Sequence, residues 1–307
     1  MILYVLLCVL LILILGGSYY AYRIAFYSPV KGRDQIPRIK GEKYEVHKDA
    51  MRPLFRRLQE KPCEHVTIPS HDGLTLHGRY YHQQDDAPLA IGFHGYRSCW
   101  VTDFCGGADI TFRMGQNLLL IDQRSHGQSE GRTITFGIKE RHDLISWVNY
   151  AVDRFGPDVK ILLYGVSMGG ATVLMASGMD LPENVKGIVA DCPYSAPLEI
   201  ITEVGKQSGY PMKLLTPFLI LGAKIFGGFD LREFTAAESV KNSKIPMLII
   251  HGEDDTFVPP EMSLAIRNNN PEQIRRHTFP GAYHCLSYII DAPRYESIVK
   301  AFMEEVL

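Results

Sequence analysis

The chain of 307 residues is 46% hydrophobic and 21% charged, with a formal net charge of -2. That is ordinary globular composition, long enough for one large α/β domain or two small ones. No basic stripe or acidic tail is present, which argues against nucleic-acid binding, and the six scattered cysteines make neither a metal motif nor a disulfide scaffold, so free thiols are expected.

The N-terminus departs from this average. From Ile2 to Leu15 every residue is apolar apart from Tyr4, Gly16 to Tyr22 is uncharged, and Arg23 is the first charge. About 20 such residues suffice to cross a bilayer as a helix, and Tyr19, Tyr20 and Tyr22 suit an interfacial belt. No basic region precedes the run, no A-x-A site follows it, and Cys8 lies too early for lipoprotein cleavage. An uncleaved transmembrane anchor over residues 1–25 is therefore expected rather than a signal peptide. Arg23, Lys31, Arg33, Arg38 and Lys40 follow the span and only the α-amine precedes it, which predicts a cytoplasmic C-terminal side. Residues 26–61 read as a linker containing one amphipathic helix. Over Asp49 to Glu60, Met51, Leu54, Phe55 and Leu58 recur at helical spacing between Arg52, Arg56 and Arg57. Such a helix either packs on the main domain or lies on the membrane surface.

Residues 62–307 follow a strand-and-helix pattern. His65 to Pro69 and Leu74 to Tyr81 flank a polar turn and predict a hairpin. Leu89 to Phe93, Leu118 to Ile121, Lys160 to Tyr164, Gly187 to Ala190 and Pro246 to Ile250 are short runs rich in Ile, Leu and Val. Consecutive apolar positions suit strands buried on both faces of a parallel sheet. Between them the clearest helix is Lys139 to Phe155, with Leu144, Trp147, Val148, Ala151 and Phe155 on one face and Gly156-Pro157 as its stop. The prediction is an α/β fold with a mostly parallel sheet and helices on both faces.

One stretch carries chemistry by its context. Gly165-Val166-Ser167-Met168-Gly169 reads G-x-S-x-G directly after an apolar strand and before the helical run from Ala171 to Met175. In that setting a serine sits on a strained turn, and small neighbours let it project above the strand ends. The Met168 N–H, opening the helix, is aimed at a developing oxyanion. A serine nucleophile needs a base, and the base needs an orienting acid. Two loops at predicted strand ends offer them: His251-Gly252-Glu253-Asp254-Asp255-Thr256-Phe257-Val258-Pro259, and Gly281-Ala282-Tyr283-His284.

Four blocks now make a resemblance plain: Gly92-Phe93-His94-Gly95-Tyr96, Asp122-Gln123-Arg124-Ser125-His126-Gly127-Gln128-Ser129, the turn from Gly165 to Gly170, and His251 to Pro259 with the later His284. Over residues 62–307 the chain resembles the α/β-hydrolase family, in particular its bacterial membrane-anchored members related to serine aminopeptidases and small esterases. The resemblance implies a catalytic triad of Ser167, Asp255 and His284, with backbone N–H groups of Tyr96 and Met168 as the oxyanion hole. It requires no metal or organic cofactor. Asp254 stays open as the acid, although strand-end geometry points neighbouring side chains apart so that only one of the two can face His284. Asp191, after another strand end, is a further candidate acid. His94, His126 and His251 are expected to order loops.

Between Ser195 and Val240 the simple alternation fails, at the place where this family inserts a cap. A small helical cap over about residues 195–240 is expected, in which Leu214, Leu215 and Phe218 wall the site for a hydrophobic acyl group. The function implied is hydrolysis of an ester or related acyl bond on a short to medium hydrophobic small-molecule substrate. The rivals are an aminopeptidase or amidase, an acyl-thioester hydrolase, and a silent membrane-tethered binding module, which would have no reason to retain all three triad groups. Because all catalytic blocks lie downstream of Pro62, removing residues 1 to about 25 is expected to release a soluble active enzyme.

Overall fold

The computed structural model describes residues 1–29 and 41–307. Lys31, Arg33, Arg38 and Lys40, invoked for membrane orientation, lie outside the described residues.

Eight strands form one sheet: β1 (Glu64–Pro69), β2 (Thr75–Tyr81), β3 (Leu89–Phe93), β4 (Asn117–Asp122), β5 (Ile161–Val166), β6 (Val185–Asp191), β7 (Met247–Gly252) and β8 (Ile274–Phe279). Their order is β1-β2-β4-β3-β5-β6-β7-β8. The first two join antiparallel and the rest run parallel, with Gly92 level with Tyr164 and Val166 level with Asp191. Every residue of β3, β4, β5 and β7 is buried. Side chains alternate between faces, so Leu119, Ile121, Ile161 and Leu163 enter one core, and Leu118, Leu120, Leu162 and Tyr164 the other. That double burial explains the unbroken apolar runs.

Helices cover both faces, as the α/β pattern predicts. They are α1 (Ile2–Ala25), α2 (Glu42–Glu45), α3 (Lys48–Glu60), α4 (Trp100–Arg113), α5 (Glu140–Phe155), α6 (Met168–Ala176), α7 (Pro197–Gln207), α8 (Met212–Gly222), α9 (Ala236–Ser239), α10 (Pro260–Asn269), α11 (Ser287–Ile290) and α12 (Ala292–Val306). The first core takes α5, α6 and α10; the second takes α4 and α12. Helix α3 packs on α4, burying Met51, Leu54 and Leu58 and pairing Arg57 with Asp109 at 2.6 Å. Its apolar stripe thus faces protein, not a membrane surface.

Strand β8 had no signal in the sequence. Only its terminal residues Ile274 and Phe279 are buried, because it is an edge strand. Arg275 turns outward to solvent, and the half-buried Arg276 reaches across to α10, its Nε donating to Ser263 Oγ at 2.8 Å.

Among the described residues α1 is the one helix long and apolar enough to cross a membrane. Residues Ile2 to Leu7 and Val9 to Leu13 are exposed, but the C-terminal half of the helix is not free. A Cβ on Gly222 of α8 would come within 2.3 Å of the Ser18 carbonyl oxygen, and one on Gly17 within 3.0 Å of the Phe218 ring. Small residues thus let the two helices approach closely. Below the crossing, Tyr22 Oη lies 2.8 Å from Thr133 Oγ1, and Phe26 is 0% exposed between the rings of Phe136 and Phe229.

Candidate active site

Ser167 sits between β5 and α6 with φ 54° and ψ -114°, a region an L residue occupies only under constraint. The constraint is visible in its glycines. A Cβ on Gly165 would lie 2.2 Å from the Gly169 carbonyl oxygen, and one on Gly169 would lie 1.7 Å from the Phe93 carbonyl oxygen. Both obstacles are backbone and cannot swing aside.

The loops after β7 and β8 bring the other two groups to it. His284 Nε2 is 2.9 Å from Ser167 Oγ, and His284 Nδ1 is 2.7 Å from Asp255 Oδ2. With Nδ1–H donating to the carboxylate, Nε2 is left as an acceptor for the serine hydroxyl. Asp255 is 2% exposed, and its Oδ1 accepts the N–H groups of Phe257 and Val258 at 3.0 and 2.8 Å. His251 Nε2 lies 3.3 Å from Asp255 Oδ2 and 2.9 Å from the Val258 carbonyl oxygen. The neighbouring Asp254 is exposed. Asp191 is buried, and its Oδ2 accepts from Tyr295 Oη at 2.7 Å.

Electrostatics follow from this packing. Burial opposes charge on Asp255, yet His284 and His251 outweigh it and hold the carboxyl well below the usual carboxylate range. At His284 burial disfavours the imidazolium, but the facing groups raise it above the ordinary histidine value. Of those groups Cys192 is a thiol that burial keeps protonated near neutrality. The carboxylate of Asp255 is therefore the physical cause. Asp191 is pushed up to about 6 by burial.

The loop after β3 carries Tyr96 past the nucleophile. A Cβ on Gly95 would lie 3.2 Å from Ser167 Cβ. Four groups fix this loop. Asp103 Oδ2 accepts the Gly95 N–H at 2.6 Å, His126 Nε2 accepts the Arg97 N–H at 2.9 Å, and His94 Nε2 accepts the Gln123 N–H at 3.1 Å. The fourth is α1 itself: Tyr96 Oη donates to the Ala25 carbonyl and Arg97 Nη2 to the Ile24 carbonyl, each at 2.8 Å. Met168 opens α6 beside the serine, where a helix N–H has no intrahelical acceptor.

Two cavities meet at Ser167. One of about 500 Å³ is walled mainly by apolar groups, among them Phe136, Ile200, Val204, Leu215, Phe218 and Phe257. Leu215 and Phe218 line this cavity. Leu214 does not line this cavity: it is 66% exposed, because one residue around α8 turns it to the outer face. The second cavity, about 440 Å³, is more polar and includes Tyr44, Ser98, Thr102, Asp103, Tyr283 and His284.

Sequence reasoning missed Asp103, which no motif marks. It also missed a thiol pair against the histidine, Cys192 Sγ lying 3.3 Å from Cys285 Sγ and 4.0 Å from His284 Nε2. The described cysteines are free.

Comparison with known proteins agrees with the fold. Residues 93–218 match the family described as alpha/beta hydrolase fold. YqkD of Bacillus subtilis (strain 168) is 23% identical over 94% of this chain and 92% of its own length. A thiohydrolase of Aspergillus aculeatus, aneE, is 30% identical over 44% of this chain, which spans 43% of that relative. An esterase of Pyrococcus furiosus superposes with a TM-score of 0.67 at 22% identity, covering 88% of this chain and 97% of its own.

Proposed function

Starting from a chain that carries the α/β-hydrolase fold, we propose that it is a serine hydrolase cleaving the ester of a hydrophobic acyl group through an acyl-enzyme. The observation that carries this reading is the unbroken line from Ser167 through His284 to Asp255, opening on an apolar cavity. Ser167 Oγ attacks the acyl carbonyl while His284 Nε2 takes its proton. The N–H groups of Tyr96 and Met168 hold the oxyanion as the tetrahedral intermediate forms. The intermediate collapses as His284 passes the proton to the departing alcohol. Water, deprotonated by the same imidazole, then attacks the acyl-enzyme and releases the acid and free Ser167. Asp255 keeps the tautomer and balances the imidazolium in both halves.

In this reading the apolar cavity takes the acyl group and the polar cavity takes the leaving group. Residues 1–25 serve as a membrane anchor and residues 62–307 as the hydrolase domain. The thiohydrolase name of the Aspergillus relative supports acyl thioesters as a second substrate class, since the same triad expels a thiol. A panel of p-nitrophenyl esters, acyl thioesters and aminoacyl-nitroanilides ranks the classes. Ser167→Ala should remove turnover and fluorophosphonate labelling with the melting temperature preserved, because it deletes one oxygen and no core volume. Near-wild-type turnover in a purified Ser167→Ala sample would end the proposal.

A further inference from the structure

One wall of the apolar cavity belongs to α1. Leu13, Gly17, Tyr20, Ala21, Ile24 and Ala25 line it, spaced as a single helical face. The opposite wall is the cap, from α7 and α8. The cleft that leads to Ser167 therefore lies between the cap and a helix able to span a bilayer.

Depth can be read from the helix. At 1.5 Å per residue the uncharged run from Ile2 to Tyr22 is about 30 Å long, the thickness of the hydrocarbon. From Leu13 to Ala25 the cavity wall runs about 18 Å along the axis, so much of it lies within that depth. Helix α8 sits at the same level, since Phe218 meets Gly17 and Gly222 meets Ser18. Beyond the cleft the cap presents apolar side chains outward: Leu214 on α8, with Ile225 and Phe226 in the turn that follows, are exposed. In water that patch is unfavourable; in hydrocarbon it is not. Lys213 and Lys224 beside it have stems long enough to reach a headgroup layer. Tyr20 and Ile24 line the cavity and are also exposed, so the mouth opens along α1.

We infer that the substrate is a bilayer lipid carrying a long acyl ester, which slides laterally between α1 and the cap, its chain along α1 and its carbonyl at Ser167. The inference rests on the serine-hydrolase reading and on α1 as a membrane span. Hydrolysis consumes one water and yields a fatty acid that stays in the membrane and a free alcohol.

The test uses the full chain in phosphatidylcholine vesicles with two esters sharing one leaving group. One is p-nitrophenyl palmitate dissolved in the vesicles; the other is p-nitrophenyl acetate in the water. Ala21→Trp narrows the cleft from α1, and Val204→Trp narrows it from α7. Ile12→Trp places the same indole on an α1 residue outside the cavity wall. The palmitate-to-acetate rate ratio is expected to fall at least tenfold in Ala21→Trp and Val204→Trp and to keep its wild-type value in Ile12→Trp. Fluorophosphonate labelling of Ser167 reports whether each variant retains a formed site. An unchanged ratio in both cleft variants that still label, or wild-type enzyme that turns over acetate but no palmitate, overturns the lipid inference alone. Wild-type enzyme that neither labels nor cleaves either ester overturns the serine-hydrolase reading instead.

Discussion

At the scale of single residues the site is decided by which groups His284 touches. Asp255 reaches its Nδ1 at 2.7 Å, while Asp254, one residue away, faces solvent. Asp255→Asn presents an amide where a carboxylate held the tautomer, and a fall in kcat of about 10³ to 10⁴ is expected. Asp254→Asn should change stability by no more than about 0.5 kcal/mol, as surface substitutions do, and leave kcat within twofold. Reversed effects on ester turnover would move the acid by one position. The pH profile offers a second check. The base acts only when neutral, and Asp255 raises the His284 value above the ordinary one. On lowering pH, kcat/KM should therefore begin to fall while the solution is still above pH 6.5, the ordinary histidine value. In Asp255→Asn the residual activity should have its acid limb at lower pH, because the charge that favoured the imidazolium is gone. A limb that does not move with this substitution would remove Asp255 as the cause.

At the scale of elements, the cap helix α8 separates two kinds of apolar residue that look alike in sequence. Phe218 lines the cavity and Leu214 points away from it. Each methylene losing its apolar contact weakens binding by about 0.8 kcal/mol, so losing two costs roughly tenfold. Phe218→Ala should lower kcat/KM for octanoyl against acetyl esters by about that factor, and Leu214→Ala should leave the ratio unchanged. A uniform loss over all chain lengths in Phe218→Ala, with a fall in melting temperature, would limit its ring to the α1–α8 contact and remove it from the acyl wall. Such helical faces were only partly legible. The stripe of α3 and that of α5 could be read because polar residues alternate with apolar ones. The apolar runs of α1 and α8 gave no periodicity from which to read a packing face.

At the scale of the whole molecule the N-terminal helix is integral to the fold. Cutting after residue 25 removes one wall of the cavity, the Ala25 carbonyl that accepts from Tyr96 Oη, and the Ile24 carbonyl that accepts from Arg97 Nη2, leaving that guanidinium only the Tyr27 carbonyl at 3.2 Å. Two such hydrogen bonds contribute about 0.5 to 1.5 kcal/mol each, and the uncovered face of α8 adds exposed apolar surface. The truncated chain is therefore expected to melt lower than the full chain in the same detergent, with reduced acetyl-ester turnover as the oxyanion loop loosens. Equal melting temperatures and equal turnover would return α1 to the role of a detached tether, as the position of the catalytic blocks alone suggests.

The residues by themselves determined what is local. Runs of consecutive apolar residues marked five of the eight strands and the hairpin turn before Leu74 marked two more, the glycines around Ser167 marked a turn that tolerates no side chain, and the uncharged N-terminus marked a helix of membrane length. Tertiary structure decided what depends on distant segments meeting. It placed Asp103 under Gly95, Cys192 beside Cys285, and β8 at an edge where its polar residues need no apolar partner. It also set α1 against the cap, because the close approach of Gly17 and Ser18 to Phe218 and Gly222 joins residues some two hundred positions apart. No local periodicity records such a contact.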